Sequence, residues 1–120
     1  MKDAHAKDLA RRARDWHRMA ELGFEDGRHE AAYECARTAC ELAGKALLQE
    51  KVGRYARSHE IQGDLFREGL IPAAVNAKRL SKLMGDVTRG TYGVGPRVSA
   101  SEASSAVALA KAMVGSLFES

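Results

Sequence analysis

The sequence predicts an all-α protein, an up-and-down bundle of four to five helices forming one domain over residues 1–120. Three observations carry that expectation. Apolar residues recur at helical spacing along most of the chain, no stretch of useful length alternates with a period of two, and glycines fall where the helical runs must reverse. Composition agrees: 45% hydrophobic and 29% charged residues with only two prolines describe a folded globular chain, not a disordered or Pro-rich one. A chain of 120 residues buries roughly two-thirds of its unfolded surface, enough for one core without a metal or disulfide staple.

The first helix is expected from about Asp3 to Leu22, because Leu9, Ala13, Trp16 and Ala20 share one narrow sector. Trp16 and Phe24 are expected to anchor the core. Lys7, Arg11, Arg14 and Arg18 line the opposite side, flanked by Asp8, Asp15 and Glu21. The Gly23 to Gly27 segment should break this helix. A second runs from about Arg28 to Lys51 with a face of small residues (Ala32, Cys35/Ala36, Ala39, Ala43, Ala46/Leu47) that permits close approach. Glu41 and Lys45 form a favourable i,i+4 pair on it, or a seam toward a partner chain.

Gly53 is the expected stop, and Ser58 the cap of a third helix from His59 to about Glu68 that buries Ile61, Leu65 and Phe66 and ends at Gly69. Pro72 suits the first turn of a fourth helix reaching Met84, anchored by Val75, Leu80, Leu83 and Met84. The 85–98 stretch holds four glycines and Pro96 without periodicity and reads as a loop. Ser99 and Glu102 spell a capping box for the last helix, which runs to about Phe118 with Ala103, Val107, Ala110, Val114 and Leu117 on one face.

The net charge of +3 permits an anionic partner without requiring one. No stretch approaches the roughly 20 apolar residues of a membrane span, and the opening Met1-Lys2-Asp3-Ala4-His5 has no signal-peptide core, so a cytoplasmic protein away from membranes is expected. Cys35 and Cys40 diverge by about 140° on a helix and cannot pair within it. They read as small buried apolar residues, and no metal or cofactor is expected. HExxH, CxxC, GxSxG and Walker-type motifs are absent, which removes those enzyme classes.

A resemblance emerges from several segments in order. Gly27-Arg28-His29-Glu30-Ala31-Ala32-Tyr33, followed by Ala36, Ala39, Glu41 and Lys45-Ala46-Leu47-Leu48, resembles the second helix of HEPN domains. Ser58-His59-Glu60-Ile61 resembles the start of that family's third helix, and Arg89-Gly90-Thr91-Tyr92-Gly93 its late Arg-x-x-Tyr segment. The resemblance implies a helical bundle that dimerises, often encoded beside a minimal nucleotidyltransferase as a toxin–antitoxin pair. It also implies metal-independent endoribonuclease chemistry through an Arg-x(4–6)-His motif, in which histidine moves protons and arginine stabilises charge on the phosphoryl oxygens.

Arg54-Tyr55-Ala56-Arg57-Ser58-His59 has that spacing, and the two side chains converge only if the helix breaks near Gly53–Ser58. In many nucleases of this family the pair lies later, where this chain offers Arg89 and Tyr92 and no histidine after His59. The expected catalytic set is therefore His59, Arg54 and Arg89, with Tyr92, Arg97, Arg11 and Arg18 as candidates for contacting nucleotide or RNA. Tyr92 is also a candidate acceptor of nucleotides from a partner. The expected function is the toxin side of a nucleotidyltransferase antitoxin pair. The competing expectations are a non-catalytic nucleotide-binding or protein-interaction module that scaffolds the transferase, and a structural helical dimerisation domain.

Overall fold

Helix α1 (Ala4–Glu25) begins where Asp3, in extended backbone, accepts the Ala6 N–H on its side chain at 2.9 Å. That bond, with a second from the Gln49 amide, holds the Asp3 carboxyl below its usual range. Glu50 in turn accepts the Lys2 and Asp3 amides at 2.9 and 2.8 Å, which lowers its own pKa and ties the start of α1 to the end of α2 (His29–Val52). The two helices form an antiparallel pair. The computed structural model describes residues 1–53, 60–86 and 97–118.

Small residues set the spacing of this pair. Ala6, Ala10, Ala13 and Ala20 of α1 are buried, as are Ala32, Ala36, Ala39, Ala43 and Ala46 of α2. A Cβ on Gly23 would already touch the Ala32 backbone at 3.4 Å. This explains two departures from the sequence expectation. Gly23 does not break α1, which continues to Glu25 and turns at Gly27 with φ +74°. Trp16 is not a core anchor but 39% exposed, because a seam of alanines has no room for an indole; Phe24 is half-buried against the core.

α2 stops at Gly53, whose φ of +82° is the left-handed conformation glycine adopts most readily. The chain returns in α3 (Ile61–Arg67), which seats Ile61 and Leu65 on Gly44 of α2. Phe66 is 73% exposed, against expectation: it lies about 100° around a two-turn helix from Leu65 and so faces away from α2. Gly69, with φ +65°, ends that helix. The fourth helix starts later than expected. Residues after Pro72 form a turn closed by the Val75 N–H on the Pro72 carbonyl at 2.9 Å, and Asn76 then caps α4 (Ala77–Gly85) through the Arg79 N–H at 3.0 Å.

The expected capping box is present. Ser99 Oγ accepts the Glu102 N–H and Glu102 accepts the Ser99 N–H, both at 3.1 Å, at the start of α5 (Ala100–Ser116). The start of α5 lies beside Tyr33 and its end beside Lys7 to Arg14, so α5 runs parallel to α2 and antiparallel to α1. All described regular elements are helices, and among them the largest fully buried side chains are Ile61, Leu65, Leu80, Met113 and Cys40. Both cysteines are unpaired, Cys40 buried as expected and Cys35 half-buried. No described helix is long and apolar enough to cross a membrane.

Candidate functional site

Arg54, His59, Arg89 and Tyr92, together with the Ser58 cap, lie outside the described residues. Their flanks are described. Arg54 follows the left-handed Gly53 directly, so the register of α2 ends one residue before the Arg-x4-His spacing begins. At the other end of α2, Tyr33 O–H donates to Asp86 Oδ2 at 2.8 Å, and Arg97 Nε donates to Glu30 Oε1 at 3.1 Å. Glu30 and Tyr33 are one helical turn apart. The residues on either side of the 87–96 stretch are thus both clasped to the first turns of α2.

The other candidates on α1 are engaged in ion pairs. Arg11 lies 2.7 Å from Asp8 and 3.7 Å from Asp15, and Arg18 lies 3.5 Å from Glu21. The Asp8 contact raises the Arg11 pKa and lowers that of Asp8. These are exposed i,i+3 and i,i+4 pairs, the kind that contribute little to stability and blunt a cationic field. Arg14 instead stacks on Phe118 at 4.0 Å from the ring centroid. That contact closes one side of a groove of about 380 Å³ between α1 and the end of α5.

On α2, Arg37 bonds Glu34 at 2.5 Å and lies 3.8 Å from Glu41, which lies 3.9 Å from Lys45. These side chains are only 12–23% exposed, so the expected Glu41–Lys45 pair belongs to a half-buried charge ladder. Bonding to Glu34 raises the Arg37 pKa, and burial pushes the Cys40 thiol up to about 12.

One cluster escaped the sequence reading. Tyr33 of α2, Arg79, Lys82 and Leu83 of α4, and Ser101 and Ser105 of α5 line a groove of about 260 Å³. The signal was present in part, since residues 77–85 carry Lys78, Arg79 and Lys82 and no carboxylate. Periodicity alone did not reveal that this face meets the serines of α5. Among the described residues no group of three or more His, Cys, Asp or Glu side chains is arranged to hold a metal ion.

A protein-family model described as HEPN domain matches residues 6–119, nearly the whole chain. The chain belongs to the HEPN domain family. No curated protein matches it significantly. The matched region of this HEPN chain contains the Arg54–His59 spacing, the Arg89–Tyr92 segment and the α2–α4–α5 groove.

Proposed function

We propose that this HEPN protein is a metal-independent endoribonuclease, acting as a homodimer on the toxin side of a pair with a nucleotidyltransferase antitoxin. The observation that carries the reading is the end of α2 at Gly53, φ +82°, immediately before Arg54. On a continuous helix Arg54 and His59 would diverge by about 140°; α2 ends at Gly53, before Arg54, and α3 begins at Ile61, after His59, so neither helix imposes that phase on the pair.

In the proposed reaction the ribose 2′-oxygen attacks the adjacent phosphorus. Its proton passes to His59, and the guanidinium groups of Arg54 and Arg89 stabilise the charge on the phosphoryl oxygens. The bond to the 5′-oxygen breaks, that oxygen takes up a proton, and a 2′,3′-cyclic phosphate and a free 5′-hydroxyl result.

The length of α2 supports a dimer. Tyr33, which clasps Asp86, and Gly53, which precedes Arg54, are separated by about 30 Å of helix at 1.5 Å per residue. A pocket holding one guanidinium from the stretch after Gly53 and one from the stretch after Asp86 is most simply built from two chains. Incubation of purified protein with mixed RNA in EDTA tests the activity: cleavage is expected, and His59→Ala and Arg89→Ala abolish it. Mixing Arg54→Ala with Arg89→Ala chains is expected to restore part of the cleavage through heterodimers. A folded wild type that leaves RNA intact overturns the nuclease in favour of the non-catalytic module.

A further inference from the structure

The groove between α1 and the end of α5 lies at the opposite end of α5 from Tyr33. At about 380 Å³ it falls within the size range of small-molecule sites. Its described lining has two parts. Lys7, Arg11 and Arg14 of α1 supply three cations, and no carboxylate stands among the described lining residues. Met1, Ala10, Leu117 and Phe118 make up the rest, and none of these side chains carries a strong hydrogen-bond donor or acceptor.

The cations differ in how they are held. Arg11 is engaged by Asp8 and Asp15, whereas among the described residues neither Lys7 nor Arg14 has a carboxylate within ion-pair distance. The Arg14 guanidinium lies over the Phe118 ring, 4.0 Å from its centroid. Such stacking engages the face of a guanidinium and leaves its in-plane N–H groups for an acceptor that takes two of them at once, as a carboxylate does. Ala10 and Leu117 are buried and give a fixed floor, while Met1 and Phe118 are exposed.

The two parts together define the ligand. Lys7 and Arg14 call for an anionic head. The apolar side chains call for a hydrocarbon body, because a sugar or a base would leave its polar groups against surface that cannot pair them. We propose that this groove binds a free carboxylic acid with a hydrocarbon chain, a medium-chain alkanoate being the simplest case. The carboxylate lies between the Lys7 ammonium and the Arg14 guanidinium, and the chain covers Ala10, Leu117 and the Phe118 ring.

NMR titration of the isotope-labelled full chain tests the site, with butanoate, hexanoate and octanoate as ligands. Octanol and octylammonium share the longest body without its negative charge, and adenosine monophosphate offers an anion on a polar body. Octanoate is expected to shift the amides of Lys7 to Arg14 and of Leu117 and Phe118. Affinity should rise with chain length, by up to about fourfold per methylene, and octanoate should bind about tenfold more tightly than octanol. Lys7→Gln with Arg14→Gln is expected to weaken octanoate about tenfold, and Phe118→Ala to weaken it severalfold and to flatten the dependence on chain length. These side chains are exposed, so circular dichroism should be unchanged. Arg12→Gln removes an exposed cation of α1 that does not line the groove, and binding should persist. Undiminished binding by both groove variants, an equal loss in Arg12→Gln, or octanol binding as well as octanoate overturns the site. Tighter binding of adenosine monophosphate than of octanoate, or no shift with any alkanoate, overturns it as well. Octanoate binding by a chain that leaves RNA intact sustains this site and overturns only the nuclease reading.

Discussion

Gly44 is the point at which α3 sits on α2, and Gly44→Ala measures how closely. A Cβ there would lie 2.6 Å from Ile61 Cγ2 and 3.1 Å from Leu65 Cδ1, where ordinary contact begins at 3.4 Å. Ile61 and Leu65 are both 0% exposed, so neither can swing into solvent to make room. Relief requires α3 to lift or rotate. Overpacking of this kind costs about 1–3 kcal/mol. Replacing an interior helical glycine by alanine returns up to about 1 kcal/mol. The net expectation is a loss near 1 kcal/mol, or about 4 °C in melting temperature for a chain of this size. Gly115→Ala is the control: nothing lies within 4 Å of its added Cβ, so only the favourable propensity contribution, reduced in the last turn of α5, remains. Thermal and urea unfolding of the two variants should therefore move in opposite directions. The double variant Gly44→Ala/Ile61→Ala should lose less than the sum of its single changes by about 1 kcal/mol, because removing Cγ2 removes the clash. A Gly44→Ala protein that melts at or above Gly115→Ala would refute the close seating of α3.

Cys40 should resist thiol reagents in the native state at pH 8, while the half-buried Cys35 reacts slowly and both react in denaturant. The folded chain keeps the Cys40 proton up to about 12, against 9.0 for an ordinary thiol, so the stability this contributes is complete below pH 9 and is lost as pH climbs from 9 toward 12. The slope reaches about 1.4 kcal/mol per pH unit, and comparing denaturation of wild type with Cys40→Ala across that range isolates it; identical slopes would contradict the burial. Tyr33→Phe should lose about 1–1.5 kcal/mol by breaking the 2.8 Å bond to Asp86, and urea denaturation against wild type checks it; unchanged stability would contradict the bond. Among the described residues His17 Nε2 is buried without a hydrogen-bond partner, with Glu21 at 4.0 Å, so His17→Leu is expected to raise stability by about 1 kcal/mol; a fall of that size would reveal a polar contact in solution.

What the sequence disclosed was the set of helices and several of their ends, because these depend on neighbours within one or two turns. Gly53, Gly69 and the Ser99–Glu102 box all act over a few residues. Trp16 and Phe66 depart from expectation for different reasons: Trp16 shares the phase of the buried face, but an alanine seam leaves no room for its ring, whereas Phe66 lies off the narrow buried face of α3 that Ile61 and Leu65 define. The candidate site divides in the same way. The Arg54–His59 spacing is local and visible along the chain. The α2–α4–α5 groove joins residues as far apart as Tyr33 and Ser105, and only packing brings them together.

Tyr33 links the two regions of interest at that end of the bundle. Its ring lines the α2–α4–α5 groove, and its hydroxyl donates to Asp86, the residue from which the stretch carrying Arg89 and Tyr92 departs. Tyr33→Phe retains the ring and removes that bond, whereas Arg79→Gln leaves the bond intact and removes a cation from the groove. If cleavage depends on where the chain leaves α4, Tyr33→Phe lowers it more than Arg79→Gln does. The opposite ranking would mean that RNA reaches the proposed catalytic residues by way of the groove, and that the groove belongs to the substrate path.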